Sequence, residues 1–169
     1  LNLQRVKEKF PDTHLLLTEA CNYPFDWATF DQWQWGENYG ENMINDFNQG
    51  SVAWTDWNIL LDEIGGPNHV KNYCFAPIHA RTGENSLHLM NSYYYIGHFS
   101  KFIRPGAKRI SVSTNRAQLL ATGFVNSEGT VAVVVMNPSE ENFETGFFFR
   151  GQNYHFSMQA HSIITTLFR

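Results

Sequence analysis

Up to about residue 105, apolar residues gather in short continuous runs, and beyond it they recur at short, regular spacing among polar ones. Residues 13–18, THLLLT, form one such run. A strand covered on both faces shows near-continuous hydrophobicity instead of alternation, so the run predicts a parallel, helix-covered strand. Residues 22–36 read as a loop carrying Trp27, Trp33 and Trp35. Over residues 37–49, Tyr39, Met43, Ile44 and Phe47 fall at helical spacing, which predicts an amphipathic helix, and Gly50 supplies its stop. SVAWTDW, residues 51–57, predicts a second buried strand. Strand, loop, helix and strand together make a βαβ unit.

After Trp57 the pattern reads as a long loop to Asn72, with Gly65-Gly66-Pro67 as a turn signal. Residues 78–80 and 87–89 flank RTGEN, a hairpin loop, and residues 91–103 form a helix stopped by Pro105-Gly106. The texture then changes. Ile110 and Val112 alternate with polar residues, QLLATGFV and TVAVVVMN flank an NSEG turn, and FETGFFF, YHFSM and SIITTLF follow. This is an antiparallel region of sandwich type. The expected division is residues 1–105, α/β, and residues 106–169, all-β. A lone βαβ unit would expose both sheet edges and most of its apolar faces, so the first part is expected to be the end of a larger fold.

Composition narrows the function classes. Twelve Lys and Arg against 16 Asp and Glu give a net charge of −4, with none of the basic footprint that nucleic-acid binding requires. An aromatic fraction of 15% beside a charged fraction of 17% favours aromatic-lined clefts. No apolar run approaches the roughly 20 residues of a membrane span. LNLQRVKEKFPDT shows no signal peptide and begins without Met, which reads as a stretch from within a longer protein or a mature piece. Cys21 and Cys74 are the two cysteines; they define no disulfide framework and no zinc spacing. His69, His79, His88 and His98 show no metal-ligand spacing, and neither a nucleophile elbow nor a phosphate loop occurs, so no cofactor is called for.

The chemistry concentrates at the two predicted strand ends. Glu19 closes the leucine run, where an unpaired buried carboxylate would cost several kcal/mol. It is therefore either a structural salt bridge or cap, or a catalytic group. Cys21 points the same way as Glu19 if the strand continues, and its bland reading is a small buried hydrophobe. WTDWN gathers Trp54, Asp56, Trp57 and Asn58, two indoles with a carboxylate and an amide. Sugar C–H faces pack on aromatic rings and sugar hydroxyls need oriented polar partners, so the set suits a glycosyl ring. Asp56 alone could equally tie adjacent strands.

LLLTEAC, then WTDWN and GGPNHVKN, then YYYIGHFSKFIRPGAKRI, and finally TVAVVVMNPS to HSIITTLFR, occur in the order that resembles the closing part of the glucosylceramidases of glycoside hydrolase family 30, the lysosomal acid β-glucosidases. The resemblance implies the C-terminal part of a (β/α)8 barrel followed by strands of a β-sandwich. It implies Glu19 as catalytic nucleophile at a barrel strand end, Cys21 bordering the sugar pocket, Trp57 as the surface on which glucose packs, Asn72 at the mouth of the site, and supporting roles for Asp56 and Asn58. It further implies a glycosphingolipid substrate at a membrane surface, room for an activator protein, and a lysosomal or secreted location.

The reaction so implied is retaining hydrolysis, with one carboxylate as nucleophile and a second as acid/base about 5 to 5.5 Å away. The family's acid/base glutamate sits in an Asn-Glu-Pro motif that does not occur in this sequence, and Glu37, Glu41 and Glu63 have no claim to replace it. The missing barrel segment is expected upstream or from another chain, and the isolated chain is expected to have little or no hydrolase activity. The rival reading from another class is a non-catalytic carbohydrate- or lipid-surface-binding remnant of the fold.

Overall fold

In the computed structural model, which describes residues 2–169, the chain begins with a helix that the hydrophobic pattern does not single out, α1 (Asn2–Lys9). Lys7 Nζ donates to the carbonyls of Pro11, 2.5 Å, and Thr13, 2.9 Å, and so ties the turn after α1 to the approach of the first strand. Two compact units follow from the chain's own contacts, one up to Gly97 and one from His98.

In the first unit β1 (Leu15–Leu17) pairs in parallel with β2 (Ser51–Trp54) across α2 (Gln34–Asn48), the expected βαβ unit. Tyr39, Met43 and Ile44 form the buried stripe of α2. Gly50, at φ +98°, turns the chain into β2. Gly36 is needed for close approach: a Cβ there would lie 2.5 Å from the ring of Tyr95.

Burial on both faces of these strands is not observed. Leu16 is 52% and Val52 55% exposed, because β1 and β2 form a two-stranded sheet whose outer neighbours are not among the described residues. A second difference lies in the stretch read as a loop after Trp57. It contains β3 (Leu60–Asp62), parallel to β4 (Ile78–Arg81), which in turn pairs with β5 (Ser86–Leu89) across the expected RTGEN hairpin. Three residues of strand are too short for periodicity to register. Asp62 fixes the turn that follows, its Oδ1 accepting from the N–H groups of Ile64, 3.0 Å, and Gly66, 2.8 Å. The last helix, α3 (Asn91–Ser100), ends earlier than the sequence suggests.

The second unit matches the sequence reading closely. β6 (Lys108–Ile110), β7 (Leu120–Val125), β8 (Val131–Asn137) and β11 (Ser162–Phe168) form an antiparallel sheet in the order β11-β8-β7-β6, and β9 (Phe143–Phe149) and β10 (Gln152–Met158) form a hairpin. Leu119, Ala121, Val131, Val133, Val135, Phe143, Met158 and Phe168 make its core. Every residue of β8 is buried. Each fully buried valine stabilises by about 1.5–3 kcal/mol relative to exposure. Asn137 is the polar exception: Nδ2 donates to the carbonyls of Glu141 and Gln159, and Oδ1 accepts from the N–H and hydroxyl of Ser139. His98 pairs with Thr165: its Nδ1 lies 2.9 Å from the Thr165 hydroxyl, which itself donates to the His98 carbonyl.

Candidate active site

The parallel alignment of β1 and β2 continues past both strands. Thr55 N–H donates to the Leu17 carbonyl at 3.0 Å and Trp57 N–H to the Ala20 carbonyl at 2.9 Å. These two bonds bring Glu19 alongside Asp56 and Trp57 at the C-terminal strand ends, where α/β barrels place their chemistry. Glu19 is exposed, so its carboxylate does not meet the desolvation cost that a buried position would impose.

Asp56 is held from two sides. Its Oδ1 accepts from the Tyr39 hydroxyl, 2.9 Å, and from Trp57 N–H, 2.9 Å, while its buried Oδ2 has no hydrogen-bond partner among the described residues. Burial raises its pKa to about 6 against the opposing pull of those two bonds. Burial, reinforced by the charge of Asp56, also raises the Tyr39 phenol. Tyr39 stands out in the sequence only as part of an apolar stripe. Its hydroxyl makes it in addition the residue through which α2 fixes the WTDWN strand end.

Cys21 is exposed, not a buried hydrophobe, because the chain has left the strand by this point. Its Sγ lies 3.4 Å from Sγ of Cys74, and the Cys74 thiol donates onward to the Asn72 carbonyl at 3.6 Å. Burial raises the pKa of Cys74, with its hydrogen bond to Cys21 and the nearby charges of Asp56 and Glu19 adding to the effect. Trp57 packs on the small cluster of Leu61, Cys74 and Ala76. Asn72 is exposed in a loop shaped by Asn68, whose Oδ1 accepts from the N–H groups of Val70 and Asn72. Asn58 is half-buried where the chain leaves WTDWN for β3.

Glu19, Cys21, Asp56 and Trp57 are thus joined through backbone bonds and Cys74, and Asn72 reaches them through its carbonyl. Sequence reasoning misses Tyr39, Cys74 and Asn22. Asn22 is buried; it donates from Nδ2 to the Trp35 carbonyl and accepts at its own carbonyl from Phe75 N–H, fixing the chain just after Cys21. An Asx residue in the loop just beyond a polar strand end is the available signal.

The aromatic loop is largely self-packed. Trp35 stacks on Phe75 at 4.7 Å, and Trp27 meets Phe25, Phe30 and His88 edge-on while its Nε1 donates to the Glu63 carbonyl. His79, fully buried beneath, accepts from Ala76 N–H at Nε2 and so donates from Nδ1 to the Asp62 carbonyl; burial lowers its pKa and keeps it neutral. Glu63 is bound by the hydroxyl and N–H of Thr82, which push its pKa below the usual carboxylate range, the wrong direction for an acid catalyst.

A family model described as the glycosyl hydrolase family 30 TIM-barrel domain matches residues 1–103, and one described as that family's beta sandwich domain matches residues 106–166. The chain is 34% identical over 142 residues to a putative glucosylceramidase 4 of Caenorhabditis elegans, covering 82% of this chain and 27% of the relative. It is 33% identical over 137 residues to the lysosomal acid glucosylceramidase of Mus musculus, covering 79% of this chain and 27% of the relative. The crystal structure of SrfJ from Salmonella typhimurium superposes with a TM-score of 0.94 at 32% identity, over 99% of this chain and 37% of that one. The chain therefore spans about a quarter of the two glucosylceramidases that it resembles.

Proposed function

The chain belongs to glycosyl hydrolase family 30, and from that premise we propose that it is the nucleophile-bearing part of a retaining β-glucosidase that hydrolyses glucosylceramide to glucose and ceramide. Its first unit is a piece of the family's TIM barrel and its second is the family's β-sandwich. The observation that carries the proposal is the position of Glu19, exposed at the C-terminal end of β1 and held beside Asp56 and Trp57 by the bond from Trp57 N–H to the Ala20 carbonyl.

In this reading Glu19 attacks the anomeric carbon and the ceramide oxygen leaves with a proton from a second carboxylate. Trp57 offers the glucose ring its indole, backed by Leu61, Cys74 and Ala76. Asp56 orients Trp57 through the backbone N–H, and Tyr39 orients Asp56. Cys21 and Asn72 line the rim, and Asn58 supports the strand end. The second carboxylate comes from barrel strands outside this chain, so the chain alone turns over no substrate. The substrate class and a lysosomal site of action follow the named relatives, and no helix among the described residues is long and apolar enough to cross a membrane. A glycosphingolipid would then be met at a membrane surface, with or without an activator protein.

The test is Glu19→Gln in the chain extended by the remaining barrel strands. Loss of kcat on the order of ten-thousandfold or more on a fluorogenic β-glucoside is expected, with the fold unchanged by circular dichroism. Activity within a few-fold of the parent would remove Glu19 from the nucleophile role.

A further inference from the structure

The two cysteines lie on segments that are pinned to each other. Phe75 N–H donates to the Asn22 carbonyl at 2.9 Å and Phe25 N–H to the Tyr73 carbonyl at 3.1 Å, an antiparallel pairing that flanks Cys74 on both sides and fixes the chain just after Cys21. Cys74 N–H is tied in addition to the Gly65 carbonyl at 3.2 Å. One thiol is exposed and the other fully buried, and their Sγ atoms are 3.4 Å apart. An exposed thiol that an oxidant can reach, backed by a buried thiol that only its neighbour can reach, is the arrangement of a peroxidatic or exchanging cysteine with its resolving partner.

We propose that Cys21 and Cys74 form a redox-active dithiol that closes into a disulfide and thereby gates the sugar pocket beside Glu19. With a low-molecular-weight disulfide as oxidant, the Cys21 thiolate attacks one of its sulfurs and expels a small thiol. The Cys74 sulfur then attacks the Cys21 sulfur, giving up its proton to the second small thiolate as that is expelled. Two thiols are oxidised, the small disulfide is reduced to two small thiols, and the protons of Cys21 and Cys74 end on them. With hydrogen peroxide, Cys21 passes through a sulfenic acid as one water leaves, and Cys74 displaces its oxygen as a second water.

Closure requires the sulfurs to move from 3.4 Å to about 2.05 Å, more than an ångström of travel. The paired backbone holds Cys74 on both sides and the chain after Cys21, so the movement passes to the stretch before Cys21, Glu19–Ala20. That stretch is tied to the neighbouring strand end by the bond from Trp57 N–H to the Ala20 carbonyl, which aligns the two strand ends. The effect on hydrolysis rests on the assignment of Glu19 as nucleophile; the disulfide itself does not.

The probe is diamide, whose N=N bond takes up the two hydrogens and leaves no adduct. The treated chain should lose two hydrogens in intact mass and yield a peptide pair linking Cys21 to Cys74, while Cys74→Ala should do neither. Two freely alkylated thiols after treatment, or a disulfide only between chains, would overturn the proposal. In the chain extended by the remaining barrel strands, oxidation should lower kcat/KM by roughly ten- to a hundredfold, the scale of an ångström misplacement. Dithiothreitol should restore it, and Cys74→Ala should be indifferent to diamide. A confirmed crosslink with unchanged kcat/KM overturns the gating. An active Glu19→Gln variant would instead overturn the functional reading while leaving the mass result standing.

Discussion

The two units solve the problem of burial differently. The sandwich uses strands of up to seven residues, and β8 is covered along its whole length. The barrel piece uses strands of three or four residues, with Leu16, Val52 and Ile59, the last 73% exposed, left open to solvent. What fixes the strand ends of the barrel piece is polar: Asp56 between Tyr39 and Trp57, Asn22 between Trp35 and Phe75, Asp62 within its turn. The candidate chemistry sits in the unit whose apolar layer this chain does not complete. A packed layer can hold itself; a site at strand ends needs hydrogen bonds to hold it.

The strongest way to break that contrast is to place the same charge in each unit. Val134→Asp, at a fully buried position of β8, should cost several kcal/mol and abolish the sandwich's unfolding transition in urea. Leu16→Asp, at a half-exposed position of β1, should shift stability by no more than about 0.5 kcal/mol in this chain. Equal effects would show that the barrel strands are buried after all.

Asn137→Ala should rank next. It strands two carbonyls and the Ser139 hydroxyl in a buried turn, for a loss of about 2–3 kcal/mol in the same denaturation experiment. Tyr39→Phe removes one of the two donors to Asp56 and should cost about 1–2 kcal/mol in the barrel unit.

Asp56 gives the finest test, through pH. Its folded pKa of about 6 lies above the ordinary value, so the folded state binds the proton more tightly than the unfolded chain does. The stability that proton binding brings is therefore complete below about pH 4 and lost as pH rises through 6. Asp56→Asn should gain in Tm relative to the parent as pH is raised from 4 to 7, with little difference at the acid end. A difference that does not vary with pH would mean that Asp56 is solvated.

The sandwich was legible in the sequence because alternation over seven residues, turn residues such as Gly129 and a fully apolar run like VAVVVM all state the same structure. FETGFFF and SIITTLF become β9 and β11 at the boundaries the pattern gives. In the barrel piece β3 was hidden, since LLD is too short to show a period and follows a site rather than a turn. The exposure of Leu16 and Val52 was hidden for a different reason. Their hydrophobicity records a layer that other strands would cover, and composition cannot say whether those strands are in the same chain. WTDWN announced a polar strand end, but Tyr39 and Cys74 reach it from α2 and from the segment before β4, contacts that only the three-dimensional path creates.

Covalent trapping identifies the nucleophile directly. The chain extended by the remaining barrel strands is inactivated with a fluorinated β-glucoside bearing an activated leaving group, and its peptides are mapped by mass spectrometry. A single glycosyl adduct on the Glu19 carboxylate is expected; inactivation with the adduct on any other residue would remove Glu19 from the nucleophile role.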